Sequence, residues 1–511
     1  MLLAVLTVPP AAAAPQIIEV YPDPPAPNDR GEWIIIDTAG VGGLRIADGE
    51  AGTSLPAEGR VILSNSPAHV DPPLEGTRLR TDIRLANRGE TLRLLAGNET
   101  VDIFRYQRAR EGVRYHHRHG PVPVGVTPRA ATRHTVDGLT PLIYPEAAGV
   151  LETIVTDATD RIVIGCYTFA SPSLTDRLLD RLAAGVSVQL LCERAPIGGV
   201  SHQQMAMLDR LAEAGAAVRL IGGPGDRYRY HHPKYLVADG RAVLLTENFK
   251  PAGTGGRDSR GWGLLIDDPT VAAALVAIHT HDVTGADVEP FAAVQRALTV
   301  TDAPVADGSY PRRSPPAPVD GVDLTLATAP TAADPMMLAA LAEANRSIRV
   351  IVPRLPSDGR HFRALVDRAR AGVSVRVLLS NAWYDADRNA ATVAVAERLN
   401  ESGVPITVRI ATPAGRFGKI HAKGAIIDDR QVLLGSLNWN DGAPTRNREL
   451  VVRVDDPRVA ASFMTVYDAD WRASGTIGGP LTGVQQLQLG GAAALVATAA
   501  LWRLQRTVRF V

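Results

Sequence analysis

From residue 140 to residue 475 the chain alternates short apolar runs with stretches of helical period. The apolar runs at 161–165 and 347–352 predict buried strands. A helix-like stretch follows each, at 174–184 and 362–371. Another apolar run comes next, then a second helix, at 203–214 and 391–402. Strands that alternate with helices predict an α/β sheet with both faces covered. Before residue 118 the pattern is different. Runs such as Glu32-Trp33-Ile34-Ile35-Ile36, Arg60-Val61-Ile62-Leu63 and Thr91-Leu92-Arg93-Leu94-Leu95 are separated by Gly, Pro and Asn. Short strands spaced by turn residues predict an all-β, Ig-like sandwich.

The two α/β segments repeat one another. Ala184-Gly185-Val186-Ser187-Val188 recurs as Ala371-Gly372-Val373-Ser374-Val375, and Asp267-Asp268-Pro269 recurs as Asp455-Asp456-Pro457. The expected layout is a β-sandwich at 16–118, a Pro/Gly linker at 119–139, a first half at 140–299, a second linker at 300–321 and a second half at 322–475. The first fifteen residues are apolar and end in small residues, which reads as an export signal. Residues 487–502 are almost wholly apolar, and Arg503, Arg506 and Arg509 follow. That end reads as a membrane anchor with its C-terminus in the cytoplasm and the body outside.

At 511 residues the chain is long enough for several domains. Its formal net charge is zero, so no global field draws it to nucleic acid or membrane, and any preference for anions must come from local clusters. Of its 54 Lys and Arg residues only Lys234, Lys250, Lys419 and Lys423 are lysines. Arg is a wide planar fork and Lys a compact donor on a thin stem. A chain that otherwise uses Arg keeps Lys where the geometry needs it. Cys166 and Cys192 form no disulfide framework and no zinc pattern, and both lie in apolar runs. The cluster Tyr115-His116-His117-Arg118-His119 could ligate a metal, but reads first as a solvated polar linker.

All four lysines fall in or beside two copies of one motif. The first is His232-x-Lys234-x4-Asp239, followed by Thr246-Glu247-Asn248; the second is His421-x-Lys423-x4-Asp428, followed by Gly435-Ser436-x-Asn438. "HAKGAIID" predicts a strand, on which positions i and i+2 share a face. His and Lys therefore project together. Asp239 and Asp428, at an odd separation, face away and read as structural. Facing halves would make one pocket of two His, two Lys and two Asn, which suits a phosphoryl group. Lys234, Lys423, Asn248 and Asn438 would hold its oxygens, supported by Thr246 and Ser436. The charge is supplied by side chains, so the constellation calls for no metal or other cofactor.

The paired motifs, over residues 140–475, resemble the phospholipase D superfamily. The resemblance implies two α/β halves packed as one pseudo-symmetric unit that is monomeric as a catalyst. It implies that one histidine attacks phosphorus to give a phosphohistidine while the other protonates the leaving oxygen and then activates water. The first-half histidine usually attacks, which assigns His232 as nucleophile and His421 as acid/base. The family places a Glu beyond the Asn to orient a histidine, and Glu449 fits. The first half has Gly261 at that place, so its orienter is missing or comes from elsewhere, with Asp258 and Glu247 as candidates.

The order "IIEVYPDP", "GEWIII", "LPAEGRVILSN", "LANRGETLRLL" and "VDIFRY" is similar to a lamin-tail domain, a module that serves in binding. The substrate stays open. Phospholipid cleavage suits an anchored enzyme. An exported nuclease suits Arg227-Tyr228-Arg229-Tyr230-His231, which interleaves cations with rings. A phosphatidyltransferase of cardiolipin-synthase type and a surface binding protein with a vestigial site are further alternatives.

Overall fold

The computed structural model describes residues 14–57, 59–70, 74–223 and 226–475. The expected anchor and all but the last two residues of the expected export signal lie outside these. Among the described residues no helix is long and apolar enough to cross a membrane.

The N-terminal region is built from two sheets. One runs in the order Gly120–Pro123, Val113–His116, Gln16–Tyr21, Trp33–Asp37, Arg60–Ser64, Thr77–Arg80, and the other Gly52–Ser54, Leu44–Ala47, Glu90–Ala96, Glu99–Tyr106. Alternation along the strands turns Val20, Ile34, Ile36 and Val61 of the first sheet toward Ile46, Leu92, Leu94 and Phe104 of the second, in one core. Part of the expected linker is strand instead. Of the Tyr/His cluster, Tyr115 and His116 belong to the strand Val113–His116, which pairs on both sides within the first sheet, and 117–119 form the turn after it. Within 119–139, Gly120–Pro123 joins that sheet and Thr132–Val136 pairs with Val322–Ala329. Pro misled the reading here, because an edge strand tolerates the missing N–H.

The rest of the described chain forms two larger sheets. The first runs Leu139–Tyr144, Ser259–Ile266, Arg241–Leu245, Tyr235–Ala238, Arg161–Cys166, Ser187–Glu193, Ala217–Ile221. The second runs Val322–Ala329, Glu449–Asp455, Gln431–Gly435, Gly424–Ile427, Ser347–Val352, Ser374–Leu379, Ile406–Ile410. The connectivity is the same in both. Parallel central strands are linked through helices, Pro172–Ala183 and His202–Glu213 in the first, Arg360–Arg370 and Ala386–Glu401 in the second. The repeated Asp-Asp-Pro now has a physical role. Asp268 and Asp456 accept the first free amides of the helices Pro269–Val283 and Pro457–Ala473, and Pro sits at their first position.

Three cores result. Outer helices cover one face of each sheet. The other two faces enclose a shared core of both halves, with Val163, Val237 and Leu264 against Ile351, Ile426 and Val452. Helices Pro269–Val283 and Pro457–Ala473 complete it, and Trp262 of the first half packs its ring 4.7 Å from Phe463 of the second. Burying a side chain of this size contributes about 2–3 kcal/mol.

Candidate active site

The two His-x-Lys segments lie just ahead of their strands rather than within them. The ladder begins at Tyr235 in one half and at Gly424 in the other. The preceding amides go to the opposite half. His232 N donates to Arg448 O (2.9 Å), while His421 N and Ala422 N both donate to Arg260 O (3.0 and 2.9 Å). Each histidine is thus held by backbone at the start of a strand of the other half, Glu449–Asp455 for His232 and Ser259–Ile266 for His421.

Those two backbone positions are themselves locked across the interface. Arg448 Nε donates to Asp282 Oδ2 and Arg260 Nε to Asp470 Oδ2, each at 2.8 Å. All four residues are buried. The arginines are 188 residues apart, as are the aspartates, the same offset as the Asp-Asp-Pro repeat. The motif search overlooked them, although that offset would have revealed them.

His232 Nδ1 lies 2.9 Å from Glu449 Oε2, again across the halves. Glu449 is completely buried and also accepts from Ser436 Oγ and from Asn447 Nδ2 (2.9 Å). Burial pushes its carboxyl up, but the His232 ring, Lys234 and Ser436 outweigh that and hold it below the ordinary range. Burial lowers His232 to about 4, so the ring is neutral at pH 7. A neutral ring that donates through Nδ1 to an ionised Glu449 carries its lone pair on Nε2.

His421 meets a different carboxylate. Its Nδ1 is 3.3 Å from Glu247 Oε2, without an aligned hydrogen bond. Of the two candidate orienters, Glu247 is the one beside the histidine; Asp258 pairs with Lys419 at 3.0 Å. Gly261 explains how Glu247 fits. A Cβ at 261 would stand 2.2 Å from Glu247 Cγ. In the second half the arrangement is reversed, with Leu437 at the turn and Glu449 on the strand. Burial raises Glu247 to about 7 despite the field of Lys423, Lys250, Lys234 and Lys419. All four lysines of the chain therefore converge on this one site.

Lys234 and Lys423 are almost completely buried. Lys234 Nζ donates to His232 O and stands 5.3 Å from the ring of Tyr167, which also meets His232 edge-on at 4.7 Å. Lys423 Nζ is 3.1 Å from His421 Nε2 and donates to His421 O at 2.7 Å. Burial lowers Lys423 to about 8 and holds Lys234 well below its ordinary value. Burial and the nearby Lys423, Lys234 and Lys250 keep His421 neutral. Asn248 is buried with its Oδ1 unpartnered, and Asn438 sits half-buried at the matching turn.

The hydroxyls of Thr246 and Ser436 brace the scaffold: each accepts from the neighbouring strand, Trp262 N and Leu450 N respectively, at 2.9 Å. Asp239 accepts the amides of Thr159, Asp160 and Arg161, and Asp428 those of Asn345, Arg346 and Ser347. These contacts fix the loops that lead into the first parallel strands, away from the histidines. Among the described residues no group of three or more His, Cys, Asp and Glu is placed to hold a metal ion. Cys166 and Cys192 are register partners on adjacent strands, buried and unbridged.

The profile of the family described as "Cardiolipin synthase, PLD-like domain" matches residues 151–282 and 337–471, one stretch in each half. The chain is 30% identical over 131 residues to a mitochondrial cardiolipin hydrolase of Chlamydomonas reinhardtii, covering 26% of this chain and 54% of that protein. It is 30% identical over 138 residues to one of Xenopus tropicalis, covering 27% and 60%. The match thus spans about half the length of these relatives. The structure of phosphatidylserine synthase from Haemophilus influenzae Rd KW20 superposes with a TM-score of 0.53 at 12% identity, over 72% of this chain and 96% of that one. That likeness concerns the fold.

Proposed function

This chain belongs to the PLD-like family of the phospholipase D superfamily, and from that premise we propose that it hydrolyses a phosphodiester, with a phospholipid as substrate, through a phosphohistidine. His232 Nε2 attacks phosphorus, forming the N–P bond as the P–O bond to the leaving alcohol breaks. His421 Nε2–H gives that oxygen its proton. A water then loses a proton to His421 and attacks phosphorus, and the N–P bond breaks. The products are a phosphomonoester and an alcohol. Lys234, Lys423, Asn248 and Asn438 hold the non-bridging oxygens.

The observation that carries this reading is the unequal pair of carboxylates. Glu449 is ionised and takes the Nδ1 proton of His232, which bares Nε2 as a nucleophile. Glu247, raised to about 7, is partly protonated at neutral pH beside His421 Nδ1. A proton given to Nδ1 from that side puts the ring's single N–H on Nε2, where the leaving group needs it, once a bound phosphate draws Lys423 Nζ away from that nitrogen. The phospholipid preference draws on the relatives, two of which are cardiolipin hydrolases. An extracytoplasmic body with a binding role for its lamin-tail-like sheets belongs to the same proposal.

The test offers cardiolipin, phosphatidylcholine, single- and double-stranded DNA and bis(p-nitrophenyl) phosphate to the protein in EDTA. Turnover of phospholipid and generic diester is expected, lost on the order of 10³-fold in His232→Ala and His421→Ala. Generic diester hydrolysis that survives both substitutions would contradict the mechanism. Ethanol in the assay separates hydrolysis from transfer, because an acceptor alcohol would give a new diester from the same intermediate.

A further inference from the structure

The strands Ser187–Glu193 and Ser374–Leu379 occupy the same place in their two sheets, and the loop after each leads to the mouth of the site. Each loop carries a large apolar side chain that the fold leaves in solvent. Ile197 is 78% exposed, Trp383 83% and Tyr384 49%. Ile197 N donates to Tyr167 Oη at 2.6 Å, and the ring of Tyr167 abuts His232. On the other side Trp383 meets Tyr384 edge-on at 5.7 Å, and Lys419, two residues before His421, stands 5.8 Å from the Tyr384 ring. The two exposed patches therefore flank the two histidines, one from each half. Single exposed apolar residues need no explanation, but recurrence at equivalent loops around one mouth does. Arg229 and Arg446 are exposed on the same rim, joined by the hydrogen bond from Arg229 N to Arg446 O (2.7 Å).

We infer that this rim seats on the surface of a bilayer containing anionic phospholipid, an inference that rests on the phospholipid reading above. An amphiphile presents its phosphate and its acyl chains at adjacent depths. Here the phosphate-binding lysines lie at the bottom of the mouth and the apolar side chains at its edge. Trp and Tyr suit the boundary between head groups and acyl chains, while Arg229 and Arg446 complement anionic head groups. Rings can also stack on bases. Ile197, however, has no π face to offer a base.

The test uses the full chain with vesicles of phosphatidylcholine and phosphatidylglycerol that carry brominated acyl chains. In the parent protein the chains should quench Trp383, and the difference in quenching between the parent and Trp383→Phe reports that side chain alone. Ile197→Ser and Trp383→Ser should each weaken vesicle binding about tenfold or more. Both should leave turnover of soluble bis(p-nitrophenyl) phosphate unchanged. Unaltered vesicle affinity together with no quenching of Trp383 would overturn the inference. So would loss of single-stranded DNA binding with vesicle binding intact, which would assign the rim to nucleic acid. Quenching and weakened binding without phospholipid cleavage would support the surface and defeat the substrate reading instead.

Discussion

Glu247 and Glu449 bring the same functional group to two histidines with their pKa values shifted in opposite directions, and the difference lies in their partners. Glu449 accepts three hydrogen bonds, whereas Glu247 is buried beside lysines with its Oε1 unpartnered. The predicted pH profile of kcat/KM rises as His232 loses its proton near about 4 and falls as Glu247 loses its own near about 7. Glu247→Gln cannot ionise, so its falling limb should move to higher pH; an unmoved limb would remove Glu247 from the chemistry. Stability gives the same group a second reading. Its folded pKa lies above its ordinary 4.5, so the native state holds a proton that the unfolded chain releases, and stability falls as pH rises through about 7. Urea titrations should show Glu247→Gln gaining on the parent between about pH 4.5 and about 7, with no gain below that window. The relocation itself can be reversed. Gly261→Glu alone should inactivate the protein, because its Cβ would meet Glu247 Cγ at 2.2 Å. Adding Glu247→Leu reproduces the Leu437/Glu449 arrangement and should recover activity on the generic diester.

The strands that open at Ser259 and Glu449 join the halves, because the residues beside their starts carry the crossed ion pairs Arg260–Asp470 and Arg448–Asp282. Asp282→Asn removes the carboxylate that buried Arg448 pairs with and should cost about 3–5 kcal/mol in chemical denaturation, whereas Arg260 keeps Glu146 when Asp470 is replaced. A cost below about 1 kcal/mol would mean that the pairs are solvated and incidental. Much of this level was legible beforehand. Apolar runs located Arg161–Cys166 and Ser347–Val352 to within a residue, because strands buried on both faces cannot hide their composition. Asp239 and Asp428 lie on the turns that end their strands, at positive φ, so their distance from the histidines comes from the turn and not from strand alternation. Less local features escaped. The His-x-Lys segments read as strand, but their amides pair with the opposite half, which no local pattern records. Thr132–Val136 read as linker because its partner, Val322–Ala329, lies some 190 residues away. The role of Glu247 depended on a distance between a turn in one half and a ring in the other.

For the whole molecule the consequence is that neither half owns a complete His–Glu pair. His232 of the first half uses Glu449 of the second, and His421 of the second faces Glu247 of the first. Fragments divided within 302–318, a stretch without regular secondary structure, should each be inactive alone and recover turnover when produced together. An active single fragment would show that one histidine suffices. The proposed reaction turns on a phosphohistidine formed on His232. It is tested most directly by mixing His421→Ala protein with bis(p-nitrophenyl) phosphate and following nitrophenol release by rapid quench. Nitrophenolate departs without a proton, so the first step should proceed while the second, lacking its base, stalls. The predicted result is a burst of one equivalent of nitrophenol per protein chain and a phosphoryl adduct mapped to His232 by mass spectrometry. A protein that turns over steadily with no adduct, or one whose adduct maps to another residue, would contradict it.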